Sequence, residues 1–307
     1  MAEELYVSRA AIWKAIRALE NDGVRIEAVT NKGYRIITGE EAPNEKLIKG
    51  LLTELPSGTG LFVFESIDST NNEAKRMHIS DPGADAVIIS GSQTCGRGRR
   101  GREFFSPVKT GIYLSILIHP DKGPSEVADL TCMTAVAVCS AVSKMVGIET
   151  EIKWVNDIFY KEKKIAGILT EGESSVEDGR FSYVVIGIGL NVYEPYEGFP
   201  DFIRKSAGAL MESGFESGLR DRLCAEIINC FYKLYLSEDA NYIDEYRRRS
   251  MLIGRYIKIM NCTESQIRAG HEYAYVCGID DKCGLAVRYD DGVEETLQSG
   301  EVSVIKY

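Results

Sequence analysis

Seven residues between two apolar runs constrain this chain most: Gly96-Arg97-Gly98-Arg99-Arg100-Gly101-Arg102. The flanking runs, Ala86 to Ser90 and Gly111 to Ile118, are rich in β-branched residues, and the second ends at Pro120, which predicts two strands. Glycine lets a backbone come close to a ligand. Arginine presents a rigid fork of donors matched to phosphate oxygens. The pattern predicts a loop that folds over a polyphosphate; the plain alternative is a solvated basic turn. The segment also spells G-x-G-x-x-G, but that fingerprint needs a helix directly after it. Here Phe104-Phe105-Ser106-Pro107 leads into a strand instead. A kinase loop fails too, because neither H-R-D nor D-F-G follows. A glycine loop between strands, with helices elsewhere, points to an α+β mixed sheet rather than a doubly wound one.

The 307 residues allow two or three domains, and 44% hydrophobic content supports a sizeable core. The formal charge of −10 argues against a protein that coats nucleic acid. No apolar run approaches a membrane span in length, and the acidic, then amphipathic start is unlike a signal peptide. Eight cysteines without a C-x-x-C pair, beside three histidines, argue against zinc and for reduced thiols in a cytoplasm.

Residues 1–39 form the first expected unit, a partial winged helix-turn-helix. The first 38 residues hold six basic and five acidic side chains, so this end is relatively basic. Ser8 is placed to cap a helix from Arg9 to Asn21, with Ile12, Ala15, Ile16 and Leu19 on one face. Val24-Arg25-Ile26 and Tyr34-Arg35-Ile36 flank a wing at Asn31-Lys32-Gly33. Ser8, Arg9, Lys14, Arg17 and Lys32 are the candidate DNA contacts. Only a stub, Ala2 to Leu5, precedes the turn at Tyr6-Val7, so the head reads as shortened by its first helix.

The second unit, 44–249, alternates helices (45–55, 69–77, 125–146, 218–236, 239–249) with strands at 61–65, 86–90, 111–118, 151–154, 164–170 and 181–192. The third, 252–307, has five short strands separated by Asp- and Gly-rich turns, which predicts a small all-β barrel.

Polar clusters interrupt these elements. Ser69-Thr70-Asn71 sits at a helix start, where capping needs only one of them. Gln93 stands between a strand and the glycine loop. Lys153-Trp154-Val155-Asn156-Asp157 ends a strand, and Lys164-Ile165-Ala166-Gly167 begins another. Gly187 and Gly189 replace side chains within an apolar strand that ends at Asn191, as where a ligand or another backbone approaches.

With these residues assembled, the chain resembles the bifunctional biotin protein ligases that also act as biotin operon repressors. The motifs that carry the resemblance are Asp68-Ser69-Thr70-Asn71, the Gly96–Arg102 loop with Phe105-Ser106-Pro107, Lys153-Trp154-x-Asn156-Asp157, Lys164-x-Ala166-Gly167 and Gly187-x-Gly189-x-Asn191. Val155 stands where that family usually has proline. The resemblance implies an SH3-like form for the C-terminal barrel and a mixed-sheet biotin/lipoate ligase-like catalytic domain that uses biotin, ATP and Mg2+ to form biotinyl-5′-AMP. The biotinyl group then passes to a lysine of the biotin carboxyl carrier protein of acetyl-CoA carboxylase or a related carrier.

By the same resemblance, Ser69, Thr70, Asn71, Gln93, Arg97, Gly98, Arg99 and Lys164 bind biotin. Gly96, Arg97, Gly98, Arg99, Arg100, Lys153, Asn156 and Asn191 bind ATP and the adenylate. Lys164, Arg97 and Asp157 are the catalytic set, with Asp157 orienting either the incoming lysine amine or a magnesium ion. A homodimer on biotinyl-AMP and an operator DNA complete the expected partners. Two other readings stay open: a lipoate-type protein ligase, and a ligand-sensing transcription regulator without catalysis.

Overall fold

The computed structural model describes residues 8–21, 25–29, 33–37, 42–120, 127–174, 180–211, 216–237, 241–260, 262, 267 and 270–305. Three sheets organise them. The first pairs β1 (Arg25–Val29) with β2 (Gly33–Ile37), after helix α1 (Arg9–Asn21). Ser8 caps α1 by accepting from the Ala11 N–H at 3.1 Å. The stub Ala2 to Leu5, the turn Tyr6-Val7 and the wing residues Asn31 and Lys32 lie outside the described residues.

The second sheet holds seven strands in the order β3-β4-β5-β9-β8-β7-β6. These are β3 (Gly60–Phe64), β4 (Ala86–Ser90), β5 (Gly111–Ile118), β6 (Glu151–Lys153), β7 (Asp157–Tyr160), β8 (Lys163–Ser174) and β9 (Phe181–Asn191). Only β3 and β4 run parallel, so the sheet is mixed, as the sequence predicts. Five helices belong to this unit: α2 (Glu45–Leu51), α3 (Thr70–Ser80), α4 (Val127–Val146), α5 (Leu219–Tyr235) and α6 (Tyr242–Arg249).

Strand alternation sorts the two faces of this sheet. Val87, Ile89, Ile112, Leu114, Ile116, Val184, Ile186 and Ile188 join the core with α4 and α5. Ala86, Ile88, Leu117 and Val185 pack with Ala74 of α3 on the other face. Tyr113, Ser115, Gly187 and Gly189 share the parity of that second face.

Three elements differ from expectation. Helix α2 stops at Leu51, because Thr53 and Glu54 instead donate their backbone N–H groups to Asn229 Oδ1 of α5, at 2.8 and 3.2 Å. Strand β7 emerges where the sequence shows only an Asn-Asp turn. Its link to β8 is the two-residue turn Lys161–Glu162, with φ of 48° and 61°. Such turns normally announce themselves by Asn-Gly, and here neither residue does. Thirdly, Ala128–Val146 in α4 is long and apolar enough to cross a membrane, against the expectation that no run is. Two thirds of that stretch is buried, so it serves as the core helix.

The third sheet is antiparallel, in the order β13-β12-β11-β10-β14. It comprises β10 (Tyr256–Ile259), β11 (Tyr273–Ile279), β12 (Leu285–Arg288), β13 (Glu294–Leu297) and β14 (Val302–Val304).

A charged knot ties α6 to the sheet unit. Glu245 accepts from Arg248 and Arg249, each at 2.6 Å, and buried Arg249 also donates to the Thr150 carbonyl. Hydrogen bonds from Arg248 and Arg249 pull the Glu245 carboxyl from 4.5 down to about 2. A depressed carboxylate contributes its stability in full above the unfolded value and loses it as pH falls through the folded one. Stability should therefore decline between pH 4.5 and about 2. Glu245→Gln should flatten that decline by about 1 kcal/mol after solvent screening, as read from denaturant melts across this pH range.

Candidate active site

A cavity of about 350 Å³ opens where the loop after β4, the glycine face of β8 and β9, and the start of β14 converge. One end is neutral and buried. Ser69, Thr70 and Asn71, at 4% exposure or less, lie there with Gln93. Ser69 occupies the N-cap position of α3, yet its side chain makes no capping bond. Gln93 does that work: its Oε1 accepts from the Thr70 N–H at 2.9 Å and the Thr70 hydroxyl at 3.2 Å. The Gln93 amide donates to Ser106 Oγ at 2.9 Å, which locks its orientation. Asn71 donates to Glu171 at 2.8 Å and to the Leu169 carbonyl at 3.4 Å, and Ser115 Oγ lies 2.7 Å from its Oδ1. Its amide is thus saturated by the protein, and Asn71 shapes the cavity wall.

The other end is cationic. Arg97, Arg99, Arg100, Arg102, Lys153 and Lys164 line it. Lys164 pairs with Asp157 at 2.7 Å, both side chains being about one-third exposed or less. Burial lowers the Lys153 pKa, while Asp157 and Glu301 pull it back up. Arg99 donates to Asn156 Oδ1 at 2.9 Å, and Asn156 in turn donates to the Ile168 carbonyl at 3.0 Å. The Trp154 indole donates to the Cys283 carbonyl at 2.8 Å, so the barrel holds this wall as well. The Trp154–Val155 peptide bond is cis.

Most residues expected at the site converge, and three take other roles. Asn191 is absent from the cavity lining and donates its amide to the Gly208 carbonyl at 2.9 Å. Gly96 is also outside the lining; a Cβ there would meet the Phe104 carbonyl oxygen at 2.3 Å, so packing requires the glycine. Arg100 lines the cavity but pairs with Glu301 at 3.3 Å. Gly187 and Gly189 line the cavity, as the expected approach of a ligand requires, and they also make room for protein groups. A Cβ at these two positions would meet Asn71 Oδ1 at 2.1 Å and the Phe104 ring at 2.4 Å, respectively.

Sequence reasoning missed Phe104, Glu171 and Glu301. A lone aromatic or a lone carboxylate carries no pattern of its own. Glu301 accepts from Arg102 at 2.8 Å and from Arg100, which clasps the glycine loop to the barrel. Exposed pairs are worth little singly, and a shared carboxylate gains from its network. Glu301→Ala should weaken the hold of the cavity on a polyphosphate about three- to tenfold. It should also speed tryptic cleavage after Arg100 and Arg102, seen by mass spectrometry of timed digests.

The sequence offers Asp157 to magnesium. Its carboxylate is engaged by Lys164, and among the described residues no three His, Cys, Asp or Glu side chains gather to hold a metal. Magnesium is usually held by one or two carboxylates together with waters and substrate phosphates rather than by an all-protein cage, so a single carboxylate such as Asp157 remains compatible with it.

Of the expected DNA contacts, Lys14 and Arg17 are exposed on α1, with Arg17 over the Trp13 ring at 5.2 Å. The Arg9 side chain lies outside what the structure describes.

Comparison with known proteins follows the same division. Residues 63–191 match the model of the biotin/lipoate A/B protein ligase family, and residues 1–35 match an HTH domain. The bifunctional ligase/repressor BirA of Bacillus spizizenii is 33% identical over 96% of this chain and 90% of its own length. This chain belongs to the bifunctional ligase/repressor family of biotin protein ligases. The Escherichia coli member is 29% identical over 99% of this chain and 91% of its own length. The biotin protein ligase of Aquifex aeolicus, solved in complex with biotin and ATP, shares the fold. Its TM-score is 0.62 at 21% identity, covering 82% of this chain and all of that one. The HTH match at the start of the chain, the mixed seven-stranded sheet and the second, antiparallel sheet agree with the expected head, catalytic fold and C-terminal barrel.

Proposed function

We propose that this ligase joins biotin to ATP in the described cavity and then passes the biotinyl group to a lysine of a biotin carboxyl carrier protein. One observation carries the reading: a single cavity joins a buried neutral polar end to an end lined by four arginines and two lysines. A neutral ureido ring suits the first, and a carboxylate meeting a triphosphate suits the second.

The biotin carboxylate oxygen attacks the α-phosphorus, the bond to the β-phosphate oxygen breaks, and pyrophosphate leaves. The carrier amine then attacks the acyl carbon, AMP leaves, and the nitrogen loses a proton. Lys164 neutralises the carboxylate and the nonbridging phosphate oxygens as charge develops. Asp157 fixes that ammonium, and Arg97, Arg99 and the Gly98 backbone hold the phosphates. Closure by the loop excludes water from the anhydride. Magnesium arrives as a partner of the ATP phosphates.

In the same reading the chain divides into a head (1–39), a catalytic unit (44–249) and a barrel (252–307), in keeping with its three separate sheets. Ser8, Arg9, Lys14, Arg17 and Lys32 contact an operator. Biotinyl-AMP favours a homodimer, and the protein works in the cytoplasm.

Transfer of radiolabelled biotin to a purified carrier domain, with ATP and magnesium and with lipoate in parallel, tests the central claim. Labelling by biotin is expected. Labelling by lipoate alone would move the activity to the other acid. Ligand-dependent DNA binding without any labelling would make the protein a sensor.

A further inference from the structure

Arg97 lines the cavity, but the groups that fix it stand on α3 and β8. Asp68 lies just before the N-cap of α3, and Asn72 stands in the first turn of that helix. Asn72 Nδ2 donates to Asp68 Oδ2 at 2.8 Å. Arg76, a turn further on, forks over both Asp68 oxygens at 2.6 and 3.2 Å. An ionised carboxylate only accepts hydrogen bonds, so Asn72 must turn its NH2 towards Asp68. That leaves its carbonyl oxygen pointing away, where it accepts from Arg97 Nη1 at 2.9 Å. Arg76 also holds the Asp68 carboxyl well below the usual carboxylate range, so this polarity persists at any working pH. On its other side Arg97 approaches Glu171 at 3.8 Å, whose carboxylate is shared with Lys75 and Asn71. Asn72 itself is not part of the cavity lining.

We propose that Asn72 is the positioning residue of the phosphate loop: oriented by Asp68, its carbonyl fixes the Arg97 guanidinium at the cavity and so governs the hold on ATP and on the adenylate. The proposal rests on the ligase reading given above. It assigns to a helix residue that touches no substrate the task of placing a loop arginine that does. Arginine has many rotamers, and a tether made before binding reduces what the ligand must order.

The test uses the full chain. Asn72→Leu keeps the shape and removes the acceptor. It should raise the KM for ATP about tenfold and speed escape of biotinyl-AMP into solution about tenfold, as expected for a lost charge-assisted bond. The KM for biotin should rise clearly less than that for ATP, since Arg97 is only one of the groups expected on biotin. Asn72→Asp should be worse, because two carboxylates then face each other. Asp68→Asn combined with Asn72→Asp should recover the hold on ATP, since the amide now donates from position 68 and position 72 still accepts from Arg97. Unchanged ATP KM and adenylate escape in Asn72→Leu would overturn the proposal. So would a parallel rise in the KM for biotin together with a lower melting temperature, the mark of a structural role alone. In either case wild-type protein still labels the carrier. A wild type that forms no biotinyl-AMP would overturn the ligase reading, and this inference with it.

Discussion

Lys164→Ala is expected to lower biotin-dependent ATP–pyrophosphate exchange by about 10²–10³-fold, the usual cost of removing one preorganised charge from a developing oxyanion. Its ammonium stands 2.7 Å from Asp157 at the cationic end of the cavity, which Lys153 and the loop arginines also line. The Asp157 carboxylate holds Lys164 in place against its cationic neighbours before substrate arrives, so little reorganisation is needed during reaction. The alanine variant also leaves the Asp157 carboxylate without its cation, which adds an electrostatic penalty for an incoming triphosphate. Lys164→Ala combined with Asp157→Asn separates the two effects. If the ammonium acts directly, the double variant stays slow. If the single variant fails only because it exposes a naked carboxylate, the double variant regains most of the rate. Lys164→Arg should recover part of the activity, since it keeps the charge but presents a broader and more weakly hydrated group. Exchange within threefold of wild type in Lys164→Ala would pass the role to Lys153 or to the arginines.

The sheet was legible because its central strands are buried on both faces, and a run such as Gly111–Ile118 has few other folds open to it. The glycine loop was legible because four arginines have no business in a core. What escaped is of another kind. Strand β7 follows three residues after β6 and turns back at Lys161–Glu162, so neither its length nor its turn leaves a mark. Phe104 was unreadable as a site residue, since an aromatic beside a glycine loop looks the same whether it fills a core or packs over Gly189. The clasp of Arg102 on Glu301 joins positions 199 residues apart, and no local pattern encodes such a pairing. The sequence therefore discloses which residue types the chemistry needs. Which of them stand together, and which are already occupied by neighbours, is decided by the sheet.

Gly187→Ala should abolish detectable biotin use or raise the KM for biotin at least about 100-fold, while destabilising the protein by about 1–3 kcal/mol. The added Cβ would lie 2.1 Å from Asn71 Oδ1. Asn71 has no room to yield: it is 4% exposed and is held by Ser115 and Glu171. The strand cannot yield either, because Gly187 is paired with Ser115 of β5 on one side and Leu169 of β8 on the other. The strain therefore falls on the neutral end of the cavity. Gly50→Ala provides the contrast, since its Cβ meets nothing within 4 Å in helix α2. That change should be neutral for activity and stabilise by up to about 1 kcal/mol. Asn71→Ser with Gly187→Ala should recover much of the melting temperature, because the shorter side chain makes room, but not the affinity for biotin. Stability and binding would then part company at one atom pair. A Gly187→Ala protein with wild-type KM for biotin would instead mean that Asn71 can swing out of the cavity, and that the glycine serves the strand rather than the site.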